Sequence, residues 1–272
     1  MKMSMKKAFS LAVAAILAVG MLSGCGDKNT GNDAGTTASG APEAVDKIVM
    51  GTNAEFPPFE FVADSGEGLV DKFDGIDVAI AKKIAENMGK ELTIEDMQFE
   101  GLIASVQSGK IDMAIAGMTA TDERKESVDF SDTYFVAEQV MVVPEDSDIT
   151  KAEDLKNGKT VGVVLGYTGD GVVTDDLKIP EDKILRVSRG IDAVQEVKNG
   201  KLDAAVIDSA TGIALAKENG LKTVEDKDAF ASEEYAIAVK KGNTELLEAI
   251  NKTLAEMKES GEIDQLAVKY NG

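Results

Sequence analysis

A two-lobe α/β fold with mainly parallel sheets flanked by helices and a two-strand hinge is predicted by three observations. Apolar strand-like and helix-like stretches alternate along residues 46–272, the pattern that buries a parallel sheet between helices. A helix–turn–strand unit occurs twice: residues 106–117, VQSGKIDMAIAG, return in altered form at 197–208 as VKNGKLDAAVID. Finally, two alternating stretches, Glu138–Val143 and Tyr235–Val239, bracket the second copy. If both cross between lobes, the first lobe is discontinuous and the crossing pair forms a hinge. Lobe 1 is then expected over 46–137, lobe 2 over 138–234, and the completion of lobe 1 over 235–272.

The elements follow in order. Lys47–Thr52 reads as a strand that enters a loop at Asn53–Phe59. Ile76–Met88 is an amphipathic helix, because Ile80, Ile84 and Met88 recur every fourth residue and Gly89 supplies the stop. Leu92–Ile94 is a strand. Leu102, Ile103 and Val106 place a helix that ends at Gly109, and Asp112–Ala116 is the strand of the first repeat. In the second lobe, Leu155 begins a linker to the strand Thr160–Leu165. A Gly-rich loop, a weak helix over Val172–Leu177 and the strand Ile184–Val187 come next. Helix Ala193–Val197, strand Asp203–Ile207 and helix Thr211–Glu218 complete that rhythm. The C-terminal helix Thr244–Glu259 carries Leu246, Leu247, Ile250 and Leu254 on one face.

The first 24 residues are set apart from the fold. Lys2, Lys6 and Lys7 precede the apolar stretch Ala8–Met21, the layout of a secretory signal. Leu22-Ser23-Gly24-Cys25 matches the lipobox of bacterial lipoproteins, so Cys25 is expected to become a lipidated N-terminus. Residues 25–45 then form a Gly/Thr/Asn/Ala-rich tether. Cys25 is the single cysteine, which excludes an intramolecular disulfide. The net charge of −20 has the wrong sign for nucleic acid or for attraction to anionic lipid. The expected product is an extracytoplasmic monomer held at the membrane by its acyl anchor.

No histidine is present. That removes Ser-His-Asp and Cys-His nucleophile systems and His-based zinc sites. The chain contains neither GxxxxGK[ST] nor GxGxxG, and no metal or cofactor is expected. The segment Ala116-Gly117-Met118-Thr119-Ala120-Thr121-Asp122-Glu123-Arg124 carries more information. Thr121 is a good N-cap, and Asp122 and Glu123 favour a helix start. Arg124 lies one turn in, able to point back toward the strand end and grip a carboxylate in two hydrogen bonds. A solvated surface arginine is the alternative.

Together, Gly51-Thr52-Asn53, Phe56-Pro57-Pro58-Phe59, Gly75-Ile76-Asp77, Phe99-Glu100-Gly101-Leu102-Ile103, Thr119–Arg124, Val128-Asp129-Phe130-Ser131 and Leu202-Asp203-Ala204-Ala205 resemble the family 3 extracellular solute-binding proteins, the polar amino-acid receptors of ABC importers. The resemblance runs through 46–272 and implies a periplasmic-binding-protein-like fold of type II that closes on a free amino acid. By that resemblance Arg124 pairs with the α-carboxylate, assisted by backbone N–H groups of Thr119 and Thr168. Asp208 accepts the α-ammonium with the Gly117 carbonyl and the Thr119 hydroxyl, and Phe56 and Phe99 sandwich the ligand side chain. Met118 belongs to the same segment, and Tyr167 is large enough to enter the pocket. Asn53 and Glu55 sit on the loop facing the ligand side chain, which favours a polar or basic amino acid or glutamine. Alternatives stand beside these roles: Phe56 and Phe99 as core, Glu55 turned to solvent, and Asp208 capping the helix at Thr211. Gly169 and Gly171 make a poor helix start after Thr168. Beyond transport, the same pocket suits an amino-acid sensor, and the resemblance extends to cyclohexadienyl (arogenate-type) dehydratases.

Overall fold

The computed structural model describes residues 46–271. The leader 1–24, Cys25 and the tether to residue 45 lie outside the described residues. The chain opens with β1 (Lys47–Thr52), followed by a small antiparallel sheet of β2 (Glu55–Phe56), β3 (Glu60–Val62) and β4 (Phe73–Asp74). Then come α1 (Ile76–Asn87), β5 (Glu91–Asp96), α2 (Leu102–Ser108), β6 (Met113–Ala114), α3 (Asp122–Ser127) and β7 (Val128–Phe130). After β8 (Phe135–Ala137), the second lobe contains β9 (Gln139–Val143), β10 (Val161–Val164), α4 (Thr168–Gly171), β11 (Ile184–Val187), α5 (Gly190–Lys198), β12 (Ala204–Asp208), α6 (Ser209–Asn219) and β13 (Lys222–Glu225). The chain returns through β14 (Glu233–Tyr235) to β15 (Ala238–Lys240), α7 (Thr244–Glu259) and α8 (Glu262–Asn271).

Two five-stranded sheets share one plan, β5-β1-β6-β15-β7 and β11-β10-β12-β9-β13. In each, the fourth strand, β15 or β9, runs antiparallel to both neighbours while the remaining pairs are parallel. The third strand in each order, β6 or β12, belongs to one copy of the repeated unit. Both copies end their helix the same way. Gly109 and Gly200 take φ of 75° and 72°, a left-handed conformation that glycine reaches without a Cβ clash. Asp112 Oδ2 then accepts the Val49 N–H at 2.7 Å, and Asp203 Oδ2 accepts the Thr160 N–H at 2.7 Å. In each lobe the repeated aspartate thus ties its turn to the neighbouring strand region.

Apolar periodicity explains the packing. Ile76, Ile80 and Ile84 of α1 and Leu246, Ile250 and Leu254 of α7 enter one buried cluster with Met50, Met113 and Ile237. Each such side chain contributes about 1.5–3 kcal/mol on burial. In lobe 2, Val161 and Val163 face a cluster with Met141 and Leu155, while Val194 and Val197 pack with Ala205 and Leu215 on the opposite sheet face.

Three expectations are corrected. The stretch Tyr235–Val239 is not one strand: β14 pairs with β8, whereas β15 pairs with β6 and β7. The break falls at Ala236 and Ile237, whose N–H groups go to Met118 O (3.0 Å) and Ser131 Oγ (2.9 Å). The crossing pair is therefore β8 and β14, while β9 lies wholly within the second sheet. The weak helix placed at Val172 begins earlier, at Thr168, and passes into a π-helical turn over Val172–Asp176. Helix α8, which periodicity did not reveal, packs Ile263 and Leu266 onto the first lobe's core.

Candidate functional site

The expected site residues converge from both lobes. From lobe 1 come the loop after β1, the turn leading into α2, the exit of β6 and the first turn of α3. From lobe 2 come the start of α4 and the end of β12. These are the carboxyl ends of parallel strands, where open α/β sheets present ligand sites. Phe99, Gly117, Thr119, Arg124, Tyr167, Thr168 and Asp208 all line one small cavity of about 10 Å³. A wider cleft of about 700 Å³ is walled by Thr119, Arg124, Thr168, Glu233 and Arg186 among others.

Arg124 is not a solvated arginine. Thr121 Oγ1 accepts the Arg124 N–H at 3.2 Å, the N-cap that starts α3. The guanidinium turns back as its position suggested, donating from Nη1 to Thr119 O at 2.8 Å. Its Nη2 reaches across to Gly166 O of lobe 2 at 2.9 Å, and the group sits 5.1 Å from the Phe99 ring centre. Burial pulls its pKa down, while the negative charges of Asp208 and Glu233 act the other way.

Asp208 is 3% exposed and occupies the position before α6, yet its side chain makes no capping bond there. The helix-cap alternative fails. Instead, Asp208 Oδ2 accepts the Tyr235 hydroxyl at 2.5 Å. Burial, then repulsion from Glu233, pushes its pKa up to about 7. A cation brought to this carboxylate would be strongly favoured.

Sequence reasoning missed Glu233. It sits in the acidic pair Glu233-Glu234, which reads as solvated surface, but β14 carries it into the cleft, where it is 8% exposed. Its Oε2 accepts the hydroxyls of Thr119 and Thr168, each at 2.7 Å, and its Oε1 accepts Gln139 Nε2 at 3.1 Å. One hinge carboxylate thus joins a hydroxyl from each lobe. The alternation of the following residues, with buried Tyr235 two places on, was the available signal.

Gly117 is required for geometric reasons. Its φ is 51°, and a Cβ there would lie 2.4 Å from Phe56 Cε1. Its N–H donates to Asp77 Oδ2 at 2.8 Å, which also accepts the Tyr134 hydroxyl at 2.9 Å. Burial raises Asp77 to about 6 against those two bonds. Burial and the neighbouring Asp77 hold Glu60 well above the usual carboxylate range, so Glu60 is the protonated partner.

Four expected roles change. Met118 is fully buried with Leu102 and Val106, a core side chain, and its carbonyl accepts the Ala236 N–H at 3.0 Å. Asn53 is occupied by the protein itself: Nδ2 donates to Met97 O at 3.0 Å, and Oδ1 accepts the Tyr167 hydroxyl at 3.2 Å. Glu55 forms an ion pair with Arg189 of lobe 2 at 3.2 Å. Phe56 and Phe99 do flank a ring, but that ring is Tyr167, at centroid distances of 5.5 and 4.5 Å. Among the described residues, no group of three Asp or Glu side chains is placed to hold a metal.

The arrangement presents a cation on lobe 1, an anion on lobe 2, and hydroxyls from each lobe between them. Residues 48–272 match the model of the bacterial extracellular solute-binding proteins, family 3. The chain belongs to this family. It is 36% identical over 277 residues to the arginine-binding extracellular protein ArtP of Bacillus subtilis (strain 168), covering 98% of each chain. The structure is similar to an ancestral arginine-binding protein bound to glutamine, with a TM-score of 0.75, 43% identity, and 84% and 99% of the two chains covered. It also resembles an ancestral amino-acid-binding protein described as a precursor of cyclohexadienyl dehydratase (TM-score 0.74, 33% identity, 83% and 95% covered). Family 3 membership accounts for the two-lobe type II architecture and gives the chain an extracytoplasmic setting.

Proposed function

We propose that this protein captures a free L-amino acid between its lobes and delivers it to the permease of an ABC importer. The observation that carries this reading is the pair Arg124 and Asp208, set on opposite lobes and lining one cavity with Thr119 and Thr168. An amino acid is a zwitterion and needs one positive clamp, one negative clamp and little bulk water. Arg124 would hold the α-carboxylate with the Thr119 and Thr168 N–H groups; Thr168 starts α4, so its N–H lies at a helix terminus. Asp208 would accept the α-ammonium with the Gly117 carbonyl. Because the clamps sit on different lobes, binding and closure are one event. The names of relatives that bind arginine, glutamine and histidine support the amino-acid class.

The remaining parts of the proposal follow from the sequence. Cys25 carries the lipid anchor, residues 26–45 form the tether, and the protein acts as a monomer with lobe 1 at 46–137, completed by 235–272, and lobe 2 at 138–234. A receptor that senses rather than transports would use the same pocket.

A thermal-shift panel of the purified protein against L-amino acids tests the reading. A ligand at about 100 times its dissociation constant stabilises by roughly 2.7 kcal/mol. No shift with any amino acid would refute the proposal.

An enzymatic reading is favoured by the structural likeness to the dehydratase precursor. It requires a proton donor in the cleft. Glu233 is the added cleft acid, but its oxygens accept three hydrogen bonds, from Thr119, Thr168 and Gln139. It acts there as an acceptor, so a binding role is assigned; release of phenylalanine from arogenate would reverse that assignment.

A further inference from the structure

Tyr167 comes from lobe 2, yet its ring lies between Phe56 and Phe99 of lobe 1. It meets Phe56 edge-on at 5.5 Å and Phe99 at 4.5 Å between centroids. Its hydroxyl donates to Asn53 Oδ1 at 3.2 Å, and the Asn53 amide nitrogen is spent on Met97 O. Tyr167 walls both the small cavity of about 10 Å³ beside Gly117 and Asp208 and the wider cleft of about 700 Å³ that opens at Thr119, Arg124 and Thr168. At the rim, Glu55 of lobe 1 is ion-paired with Arg189 of lobe 2. Arg189 in turn is held by Asp192 through Nε and Nη2, at 2.8 and 2.6 Å.

We propose that Tyr167 determines ligand length by closing the side-chain subsite, so that the protein takes L-amino acids with short, uncharged side chains. The proposal rests on the amino-acid reading above. The zwitterion clamp and the aromatic slot are adjacent but separate. A short side chain leaves Tyr167 between its two rings and uses it as the wall of the pocket. A long side chain needs the slot itself, and must displace an aromatic ring that has two ring contacts and a hydrogen bond there. Charge selects in the same direction. A lysine or arginine side chain would seek a carboxylate on the loop after β1, and Glu55 already has a guanidinium partner supplied by the opposite lobe. A basic ligand would have to compete with Arg189 for it, and its desolvation would otherwise go uncompensated.

The test is a comparison of dissociation constants by calorimetry for L-alanine, L-serine and L-threonine against L-glutamine, L-lysine and L-arginine. The full-length protein should prefer the short group by at least about tenfold. Tyr167→Ala should shift that ratio by about tenfold or more toward the long side chains. Tyr167→Phe keeps the ring, loses the bond to Asn53, and should leave the rank order unchanged. Arginine or lysine binding to the unaltered protein as tightly as serine overturns the proposal, as does a ratio that Tyr167→Ala does not move. If arginine binds as tightly as serine and Arg124→Ala abolishes that binding, the amino-acid reading stands and the role of Tyr167 alone is refuted. If no amino acid binds either the unaltered protein or Tyr167→Ala, the amino-acid reading fails and this proposal fails with it.

Discussion

Raising the pH from about 6 to about 8 should tighten amino-acid binding roughly tenfold through Asp208. Asp208 is buried, and its environment moves its pKa up to about 7. The charged groups around it are Glu233 on the hinge and Arg124 on lobe 1, while Glu60 behind the site is protonated and Tyr235 remains a neutral donor because burial raises its own pKa. With a pKa of about 7, roughly nine in ten molecules carry the Asp208 proton at pH 6 and about one in ten at pH 8. Only the carboxylate can pair with an ammonium, so the competent fraction rises about tenfold, equivalent to about 1.4 kcal/mol. Because the ligand's positive charge lowers the Asp208 pKa, binding at pH 6 should release nearly one proton. Affinity therefore increases with pH and levels off above about 7. Calorimetry in two buffers of different ionisation enthalpy reads the released proton directly. Equal dissociation constants at both pH values with no buffer-dependent heat, or uptake of a proton, would refute the reasoning. Asp208→Asn should bind weakly and lose the pH dependence.

Other outcomes are equally specific. Glu60, Asp77 and Asp208 all have raised pKa values in the fold, so the folded state keeps protons that the unfolded chain loses from about pH 4 upward. Stability of the free protein should consequently fall as pH rises from about 4 through 7, and in urea titrations Glu60→Gln should exceed the unaltered protein in stability at about pH 8 but not at about pH 5. Gly117→Ala forces a Cβ to within 2.4 Å of the Phe56 ring at a φ of 51°, a loss of about 1–3 kcal/mol in unfolding experiments together with weaker binding. Arg124→Ala should cost about 2–5 kcal/mol in ligand affinity. Arg124→Lys keeps the charge but lacks the two-pronged geometry that reaches Thr119 O and Gly166 O, and calorimetry should show it weakened rather than abolished. Ile84→Ala in α1, fully buried against α7, should lower stability by about 2–5 kcal/mol while leaving the dissociation constant unchanged.

Much of the architecture was legible because its causes are local. The strand Ile184–Val187 and the helix Thr244–Glu259 fall where apolar spacing put them. Gly89 and Gly109 end their helices as left-handed residues. The repeated VQSGKID and VKNGKLD segments do become matching helix–turn–strand units in two sheets of the same order. Legibility ended where a contact reaches across the molecule. The stretch around Tyr235 alternates like a single strand, but its two ends join different sheets. Glu233 looks like surface until the hinge carries it between Thr119 and Thr168.

The sequence by itself determined the family of folds, the capped turn that places Arg124 and the strand end that delivers Asp208, because each depends on residues within a few positions along the chain. Tertiary structure alone decided who occupies the space between the lobes: Tyr167 between Phe56 and Phe99, Arg189 on Glu55, and Glu233 on both threonine hydroxyls. Those partners lie far apart along the chain, and periodicity holds no information about which side chains two closing lobes bring face to face.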